Sequence, residues 1–353
     1  NSTDSRAWLT VDLRNLVHNV ATVAAAARGA SLLPMVKADG YGLGVGRVVE
    51  CLERFDPWGY GVATIAEGAE LRALGIKRPV IVFTPVVDVT QAAEYRAFDL
   101  TAVIDRPELA GAWDLPFHLE IDTGMSRTGL RWDDPDLAGV SSDRPEGVFT
   151  HFHSADEDQA SVDLQWTRFE SVCRRFEGAL IHAANSAGVW SVPRALDLVR
   201  PGIFIYGGET RPEFPVPEPV VTFSAPVVSL RSIPSGDSVS YGAAWIAERP
   251  TEVATLGAGF ADGIPRMLQG KGTVLIDGRR CRLIGKITMD MCMADVTDLP
   301  PGVRPGATAV FIGEDGEHAI TLREFAESAG TSSYEILMGF RSRIERRYVS
   351  IDG

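Results

Sequence analysis

Lys37 is the one basic residue in PMVKADGYGLG (34–44), where the other residues are apolar, acidic, aromatic or glycine. A lysine amine that burial and nearby cations keep deprotonated is a nucleophile suited to imine chemistry. The simpler interpretation is a turn that points its lysine at water. The other polar residues of the chain, and the elements that carry them, decide between the two.

Several further polar residues stand on, at the end of, or just after predicted strands. Polar side chains at the C-terminal ends of parallel barrel strands meet on one rim, and barrels of this kind hold their active sites there. Packing alone does not explain such a group. Its members are Arg127 in DTGMSRTGL, His151 at the end of GVFTHF, His182, Asn185 and Ser186 on or after LIHAAN, and Arg200 in LVRPGIFIYG.

Eight short apolar runs, separated by helical patterns, must position these residues. Their continuous apolar character, rather than strict alternation, is typical of parallel strands buried on both faces. The runs cover 32–37, 60–64, 80–84, 100–105, 117–122, 147–152, 180–185 and 198–207. This α/β alternation predicts an N-terminal (β/α)8 TIM-type barrel over residues 10–213, with only a stunted helix in RPELAGAWDLP.

The pattern changes at the proline-rich segment FPVPEPVV, which begins at Phe214. Strand-like pieces with turns follow, and IDGRRCR predicts a hairpin over Asp277 and Gly278. TLREFAESAG predicts a helix. We therefore expect a C-terminal, mostly β domain over residues 214–353, and we expect residues 1–9 to pair with it.

Charge and cysteine content exclude several classes of function. The chain has 353 residues and a net charge of −13, which disfavours nucleic acid or an anionic membrane as a partner and suits an enzyme of small molecules. No apolar run is long enough to span a membrane. The four cysteines show no C-x-x-C spacing, which favours a reducing, cytoplasmic compartment over a disulfide framework.

The loops NSAG (185–188) and RPGI (200–203) follow the seventh predicted strand and lie in the eighth, where such barrels bind phosphate. A lysine in the barrel mouth opposite a phosphate site indicates a Schiff base with pyridoxal phosphate. Competing signals are weaker. GYGLGVG has the wrong spacing for a dinucleotide loop, and no G-x-S-x-G elbow supports a serine triad. His151 and His153 share a strand face, but nothing nearby completes a metal site.

Nine motifs, in the same order along the chain, resemble those of alanine racemases of the pyridoxal-phosphate barrel family. They are VKADGYGLG, DTGMSRTG, THFHSAD, HAANSAG, VRPGIFIYG, VSYG, GFADGIPR, ITMDM and SSYEIL. The resemblance covers nearly the whole chain. It implies a pyridoxal-phosphate enzyme that interconverts L- and D-alanine and supplies D-alanine for peptidoglycan.

Racemisation takes a proton from one face of Cα and returns one to the other, so it needs two bases. The resemblance assigns these roles to Lys37 and to Tyr241 of a partner subunit, which implies a homodimer with shared active sites. It places Arg200 at the pyridine nitrogen of the cofactor, where a donor-only side chain keeps that nitrogen unprotonated. An amino-acid decarboxylase on the same barrel has an acid there and is the less favoured interpretation.

The resemblance also implies contacts for the remaining motif residues. It assigns the phosphate to Tyr41, Ser186, Gly202, Ile203 and Tyr334, further cofactor contacts to His151 and Asn185, the substrate carboxylate to Arg127 and the backbone N–H of Met289, and supporting places to His182, Asp290 and Phe260. Phe260 stands where the family commonly has tyrosine, so a broader serine and alanine specificity stays open. A non-enzymatic cofactor carrier is disfavoured, because such barrels lack the second domain.

Glu120 in FHLEIDTGMSR departs from the pattern of many family members, which have a carbamylated lysine seven residues before the arginine. A glutamate on an inward-facing strand position needs a cation partner, and Arg127 is the expected one, directly or through one water. We therefore expect Glu120 to replace the carbamate. In the alternative, Glu120 faces outward into solvent.

Overall fold

The computed structural model describes residues 6–141, 144–192 and 196–351. Two compact units make up this part of the chain. The barrel unit comprises 17–205 and 209–217, and the β unit comprises the described residues up to 16, then 206–208 and 218 onward. The two units interleave in sequence between 205 and 218, so the expected division at 213/214 stays a prediction.

Eight parallel strands of the barrel unit form a closed circuit. β2, β10, β9, β8, β6 and β5 pair in that order, β3 pairs with β4, and the bridges Met35–Gly61 and Ile81–Thr101 complete the ring. A ninth strand, β7, pairs with β6 alone. The strands are β2 (Ser31–Leu32), β3 (Tyr60–Val62), β4 (Val80–Val82), β5 (Ala102–Ile104), β6 (Phe117–Asp122), β7 (Leu130–Arg131), β8 (Gly147–Phe149), β9 (Leu180–His182) and β10 (Leu198–Val199).

This circuit confirms the predicted (β/α)8 barrel, and its interior shows why the strands read as apolar runs. All three residues of β3, of β4 and of β5 are buried. One inner cluster joins five side chains from around the ring, and burial on both faces favours such strands. The cluster contains Leu33, Ile81, Val103, Phe149 and Leu198.

Helices follow most of these strands. α4 begins at a capping box, in which Thr64 accepts from the Glu67 N–H and Glu67 accepts in return. The fourth connection holds only six helical residues, as expected. The helices are α1 (Leu13–Ala26), α2 (Lys37–Tyr41), α3 (Val45–Leu52), α4 (Ile65–Ala73), α5 (Ala92–Ala97), α6 (Pro107–Ala112), α7 (Gln159–Cys173) and α8 (Gly188–Ser191).

Seven of the eight predicted strands are shorter than the sequence indicated, and the last and the first differ most. The last one ends at Val199, because Pro201 has no N–H for a ladder, and Ile203–Tyr206 form a 3-10 turn instead. The first stops before Lys37, which opens α2 rather than ending a strand. α1 was not predicted at all.

The β unit is also built on a closed circuit. β11, β14, β17, β16, β15 and β18 pair antiparallel in that order, and β18 returns to β11. β1 pairs with β11 and β20, so the described N-terminal residues join this unit. The strands are β1 (Trp8–Asp12), β11 (Val221–Ile233), β12 (Ser238–Val239), β13 (Trp245–Ile246), β14 (Thr251–Leu256), β15 (Thr273–Ile276), β16 (Arg279–Ile284), β17 (Cys292–Asp295), β18 (Thr308–Asp315), β19 (His318–Ile320) and β20 (Glu345–Val349).

The predicted hairpin joins β15 to β16. Asp277 and Gly278 both have positive φ, 53° and 69°, as a two-residue type I′ turn requires. The predicted helix is α9 (Leu322–Ala329), and α10 (Ser333–Gly339) follows it without having been predicted. In the described part of the chain, no helix is long and apolar enough to cross a membrane.

Candidate active site

Lys37 opens an unusual turn at the rim of the barrel unit. The next four residues, Ala38 to Tyr41, all have φ between 53° and 60°, and Gly42 continues at 78°. A left-handed conformation costs an L-residue roughly 1–2 kcal/mol, so a run of three such non-glycine residues with one glycine is strained. Strain of this kind persists only where surrounding contacts enforce it, and it is concentrated at functional sites.

Glu67 and Asp39 supply those contacts. Glu67 Oε1 accepts the Ala38 N–H at 2.8 Å, and Glu67 Oε2 accepts the Ala63 N–H at 2.6 Å. Asp39 Oδ1 accepts the Val45 N–H at 2.8 Å, at the start of α3. Two carboxylates therefore tie the left-handed turn to α3 and α4. Sequence reasoning missed Glu67, although its capping-box motif was a signal that it binds backbone N–H groups.

The Lys37 amine lies in an environment that disfavours its charge. Burial lowers its pKa, the positive charge of Arg127 lowers it further, and Glu67 opposes the change. A lowered pKa increases the share of the free amine, the form that attacks a carbonyl and accepts a proton. The direction of this shift is the one that imine chemistry requires of Lys37.

Arg200 is buried, with an exposed fraction of 3%. Both terminal nitrogens of its guanidinium have hydrogen-bond partners. Nη1 lies 2.8 Å from His182 Nδ1, and Nη2 donates to the carbonyls of Thr150 at 2.9 Å and Ala183 at 3.1 Å. Burial lowers its pKa to about 9, while Glu120 acts in the opposite direction. These contacts fix the direction in which the remaining N–H groups point.

A second histidine, which sequence reasoning missed, continues this network. His182 Nε2 lies 2.7 Å from His118 Nδ1. Because Arg200 only donates, His182 Nδ1 must accept, so Nε2 carries the proton and donates to His118. Burial, and then Arg200, lower the pKa of His118 to about 3, so both rings are neutral. A Cβ at Gly147 would lie 2.4 Å from His118 Nδ1, so only glycine fits beside this pair.

Glu120 lies on β6, two residues after His118, and its exposed fraction is 5%. The alternative of an outward, solvated Glu120 is therefore wrong. Burial raises its pKa to about 7, opposed by a hydrogen bond with Thr128 and by the charges of Arg127 and Arg200. Glu120 Oε2 has no partner, and the described residues include no direct Glu120–Arg127 ion pair. The one-water arrangement stays a prediction.

Ser186, Gly202 and Tyr41 form a small polar recess. Ser186 Oγ accepts the N–H of Gly202 at 2.9 Å and that of Phe204 at 3.2 Å. A Cβ at Gly202 would lie 2.5 Å from the Tyr41 hydroxyl, so a side chain there would fill the recess. In the described chain the Ile203 N–H has no acceptor. Two hydroxyls and a backbone donor beside a required glycine fit a phosphate group.

Two predicted cofactor residues have other measurable roles. Asn185 Oδ1 accepts the N–H of Gly188, the first residue of the short helix α8, at 2.9 Å. His151 lies at the rim, where burial and then Arg200, Arg127 and Lys37 lower its pKa to about 3. It is therefore a neutral ring that can pack on a flat partner. Among the described residues, no cluster of three His, Cys, Asp or Glu could hold a metal ion.

Five further predicted site residues belong to the β unit, and four of them are exposed. Tyr241 is 73% exposed at the start of a 3-10 turn, and Met289, Tyr334 and Phe260 are 55%, 46% and 37% exposed. Asp290 pairs with Arg343 at 2.9 Å.

Comparisons with known proteins agree on one family. The models for the alanine racemase N-terminal and C-terminal domains match residues 11–210 and 220–348. The alanine racemase of Deinococcus radiodurans is 39% identical over 97% of this chain and 99% of its own, and that of Carboxydothermus hydrogenoformans is 36% identical over the same shares.

Solved structures give the same result. A biosynthetic alanine racemase from Pseudomonas aeruginosa has a TM-score of 0.87 and 32% identity, covering 98% of this chain and 100% of its own. An alanine racemase from Bartonella henselae, with covalently bound pyridoxal phosphate, has a TM-score of 0.89 and 26% identity, covering 98% of this chain and all of its own.

Proposed function

This chain belongs to the alanine racemase family, and we propose that Lys37 and Tyr241 are the two bases with which it acts. The enzyme is an isomerase that interconverts L- and D-alanine, and its product D-alanine supplies peptidoglycan synthesis. Its substrate is a small amino acid.

Pyridoxal phosphate is the proposed cofactor, and the residues of the barrel unit fit it. Lys37 supplies the amine for covalent attachment, the recess of Tyr41, Ser186, Gly202 and Ile203 suits the phosphate, and Arg200 suits the pyridine nitrogen. When bound, this cofactor withdraws electrons from Cα of the amino acid and makes its hydrogen acidic. Tyr334, His151 and Asn185 stay proposed as further contacts.

Lys37 is proposed to exchange a proton with one face of Cα. Its lowered pKa supports this role, because the deprotonated amine is the form that accepts a proton. Tyr241 of the partner subunit is proposed to serve the other face. The 73% exposure of the Tyr241 side chain supports a role toward a second molecule, so we propose that the enzyme is a homodimer.

Arg127 and the Met289 backbone are proposed to hold the substrate carboxylate. In the described chain the Met289 N–H has no acceptor, which leaves it available to an anion. A guanidinium matches a carboxylate in shape and charge. Holding the carboxylate fixes Cα against rotation, so that each base meets one face only.

Glu120 is proposed to supply the negative charge that orients Arg127, with a water completing the contact. Its burial and its single unpartnered oxygen support this role. The four free cysteines support a reducing, cytoplasmic location, which we likewise propose. Phe260 leaves serine as a second substrate, and the ratio of kcat/KM for alanine and serine measures that breadth.

The proposed function rests mainly on Arg200, which is held in place by its contact with His182 and can only donate hydrogen bonds. A side chain of this kind at the pyridine nitrogen favours racemisation, whereas an acid at that place on a similar barrel favours decarboxylation. The test is to incubate the purified enzyme with L-alanine and pyridoxal phosphate. We expect D-alanine and no ethylamine or carbon dioxide. In Arg200→Glu, an acid at the nitrogen should increase the side reaction that converts the cofactor to its aminated form. Release of carbon dioxide by the native enzyme, or an unchanged side reaction in the variant, would overturn the assignment.

A further inference from the structure

The Asp262 carboxylate accepts five hydrogen bonds in the β unit, although Asp262 is not among the residues assigned a role above. Its exposed fraction is 1%. Arg6 Nη2 donates to Oδ1 at 2.8 Å and to Oδ2 at 2.7 Å, and Arg343 donates to Oδ1 at 2.6 Å and to Oδ2 at 2.8 Å. The Gly259 N–H donates to Oδ2 at 2.8 Å. One buried carboxylate thus joins three distant parts of the chain.

The negative charge of the Asp262 carboxylate is compensated by the arginines around it. Burial alone would raise the pKa of Asp262, but the hydrogen bonds from Arg343, Gly259 and Arg6 hold it below the usual range. Arg343 also pairs with Asp290 at 2.9 Å. Two arginines and two aspartates therefore form a compensated group, in which Arg6 and Asp290 are in contact although they lie 284 positions apart in the sequence.

This group and the loop beside it donate hydrogen bonds to the turn 288–291. Arg6 Nη1 donates to the Asp290 carbonyl at 3.3 Å, and the loop that follows Gly259 donates its next two N–H groups, from Phe260 and Ala261, to the carbonyls of Thr288 and Met289, each at 3.0 Å. Three successive carbonyls of the turn are thereby engaged on one side.

Gly259 allows the loop and the turn to lie this close. A Cβ at that position would lie 2.4 Å from the carbonyl oxygens of Thr288 and Met289. The backbone N–H groups of the turn, unlike its carbonyls, are unpaired: among the described residues neither the Met289 nor the Asp290 N–H has an acceptor. The turn therefore presents backbone donors in a direction that its engaged carbonyls determine.

We propose that Asp262 is a positioning residue for the substrate carboxylate: through Arg6, Arg343 and the 259–261 loop it holds the Met289 N–H in the direction that binds this anion. Asp262 touches no substrate atom and acts only through the turn. The inference rests on the proposed role of Met289 and extends it to the charges that hold it.

Arg6→Ala is the first test, because Arg6 is a third exposed and Asp262 keeps Arg343 when it is removed. Propionate is the probe, since it has the carboxylate of alanine without the amine. We expect the KM for L-alanine and the Ki of propionate to rise together, about tenfold, with a smaller change in kcat. Asp262→Asn should have the larger effect. Arg249→Ala is the matched control, because it breaks an exposed pair with Asp298 in the same unit.

Two variants of Met289 separate this inference from the role on which it rests. Met289→Pro removes the N–H, and Met289→Ala keeps it. If Met289→Pro leaves the Ki of propionate unchanged, the proposed role of Met289 is wrong and the inference falls with it. If Met289→Pro raises the Ki while Arg6→Ala and a folded Asp262→Asn stay within about twofold of the native enzyme, Met289 keeps its role and Asp262 is not its positioning residue.

Discussion

The barrel unit and the β unit hold their functional groups by opposite means. In the barrel unit Lys37, Arg200 and Glu120 are partly or fully buried. Burial lowers the pKa of Lys37 and Arg200 and raises that of Glu120, so it favours the neutral form of each. In the β unit Tyr241 and Met289 are exposed, and the turn that carries Met289 is held by fully paired charges. Burial in the barrel unit sets the protonation of reactive side chains, whereas ion pairs in the β unit fix the direction of a backbone group. Substitutions in the two units should therefore impair the enzyme in different ways.

The largest effect is expected where the two units are compared directly. Lys37→Ala and Tyr241→Phe should each lower kcat about 10³-fold, because each removes one of the two bases. Only Lys37→Ala should also abolish the absorbance of the covalently attached cofactor. Tyr348→Phe, on β20, removes a phenol elsewhere in the β unit and is the control. A Tyr241→Phe enzyme with native turnover would refute the division of roles.

Glu120→Gln should change how the stability of the cofactor-free protein depends on pH. Burial raises the pKa of Glu120 from 4.5 to about 7, so folding favours its protonated form. That contribution is complete below about pH 4.5 and is lost as the pH rises to about 7, a difference of about 3 kcal/mol. Glutamine has no such titration.

Urea unfolding across this pH range is the measurement for Glu120. The native protein should lose free energy of unfolding relative to Glu120→Gln as the pH increases. Parallel curves for the two proteins would show that folding does not raise the pKa of Glu120. Glu94→Gln, which changes an exposed carboxylate on α5 of the barrel unit, serves as the comparison.

A smaller effect is expected from Glu67→Gln, which tests whether contacts enforce the left-handed turn. Glutamine keeps one carbonyl oxygen but places an N–H group against a backbone donor, which should destabilise the turn by about 1–2 kcal/mol. Glu70→Gln, exposed on the same helix, should be neutral. Covalent attachment of the cofactor should weaken in the first variant alone, and equal attachment in both would show that the turn holds without Glu67.

The elements of the barrel could be predicted because each strand is a local apolar run. Lys37 and Arg200 could be singled out because they are charged residues at the end of one such run and within another. The position of Lys37 within a left-handed turn was not predictable, since Ala38 and Asp39 favour other conformations in isolation. The Arg6–Asp262 and Arg343–Asp262 pairs were missed for another reason. They join residues 256 and 81 positions apart, and no periodic pattern signals such pairing.

The left-handed turn also limits how the stretch after Lys37 can vary in evolution. At Gly40 a Cβ would lie 3.0 Å from the Val48 side chain, and at 38, 39 and 41 the positive φ disfavours β-branched residues. The backbone thus restricts substitution at four neighbouring positions, although only Lys37 is proposed to react. Sequence drift should be slow across the whole stretch, so that residues which only shape a turn acquire the appearance of a catalytic signature.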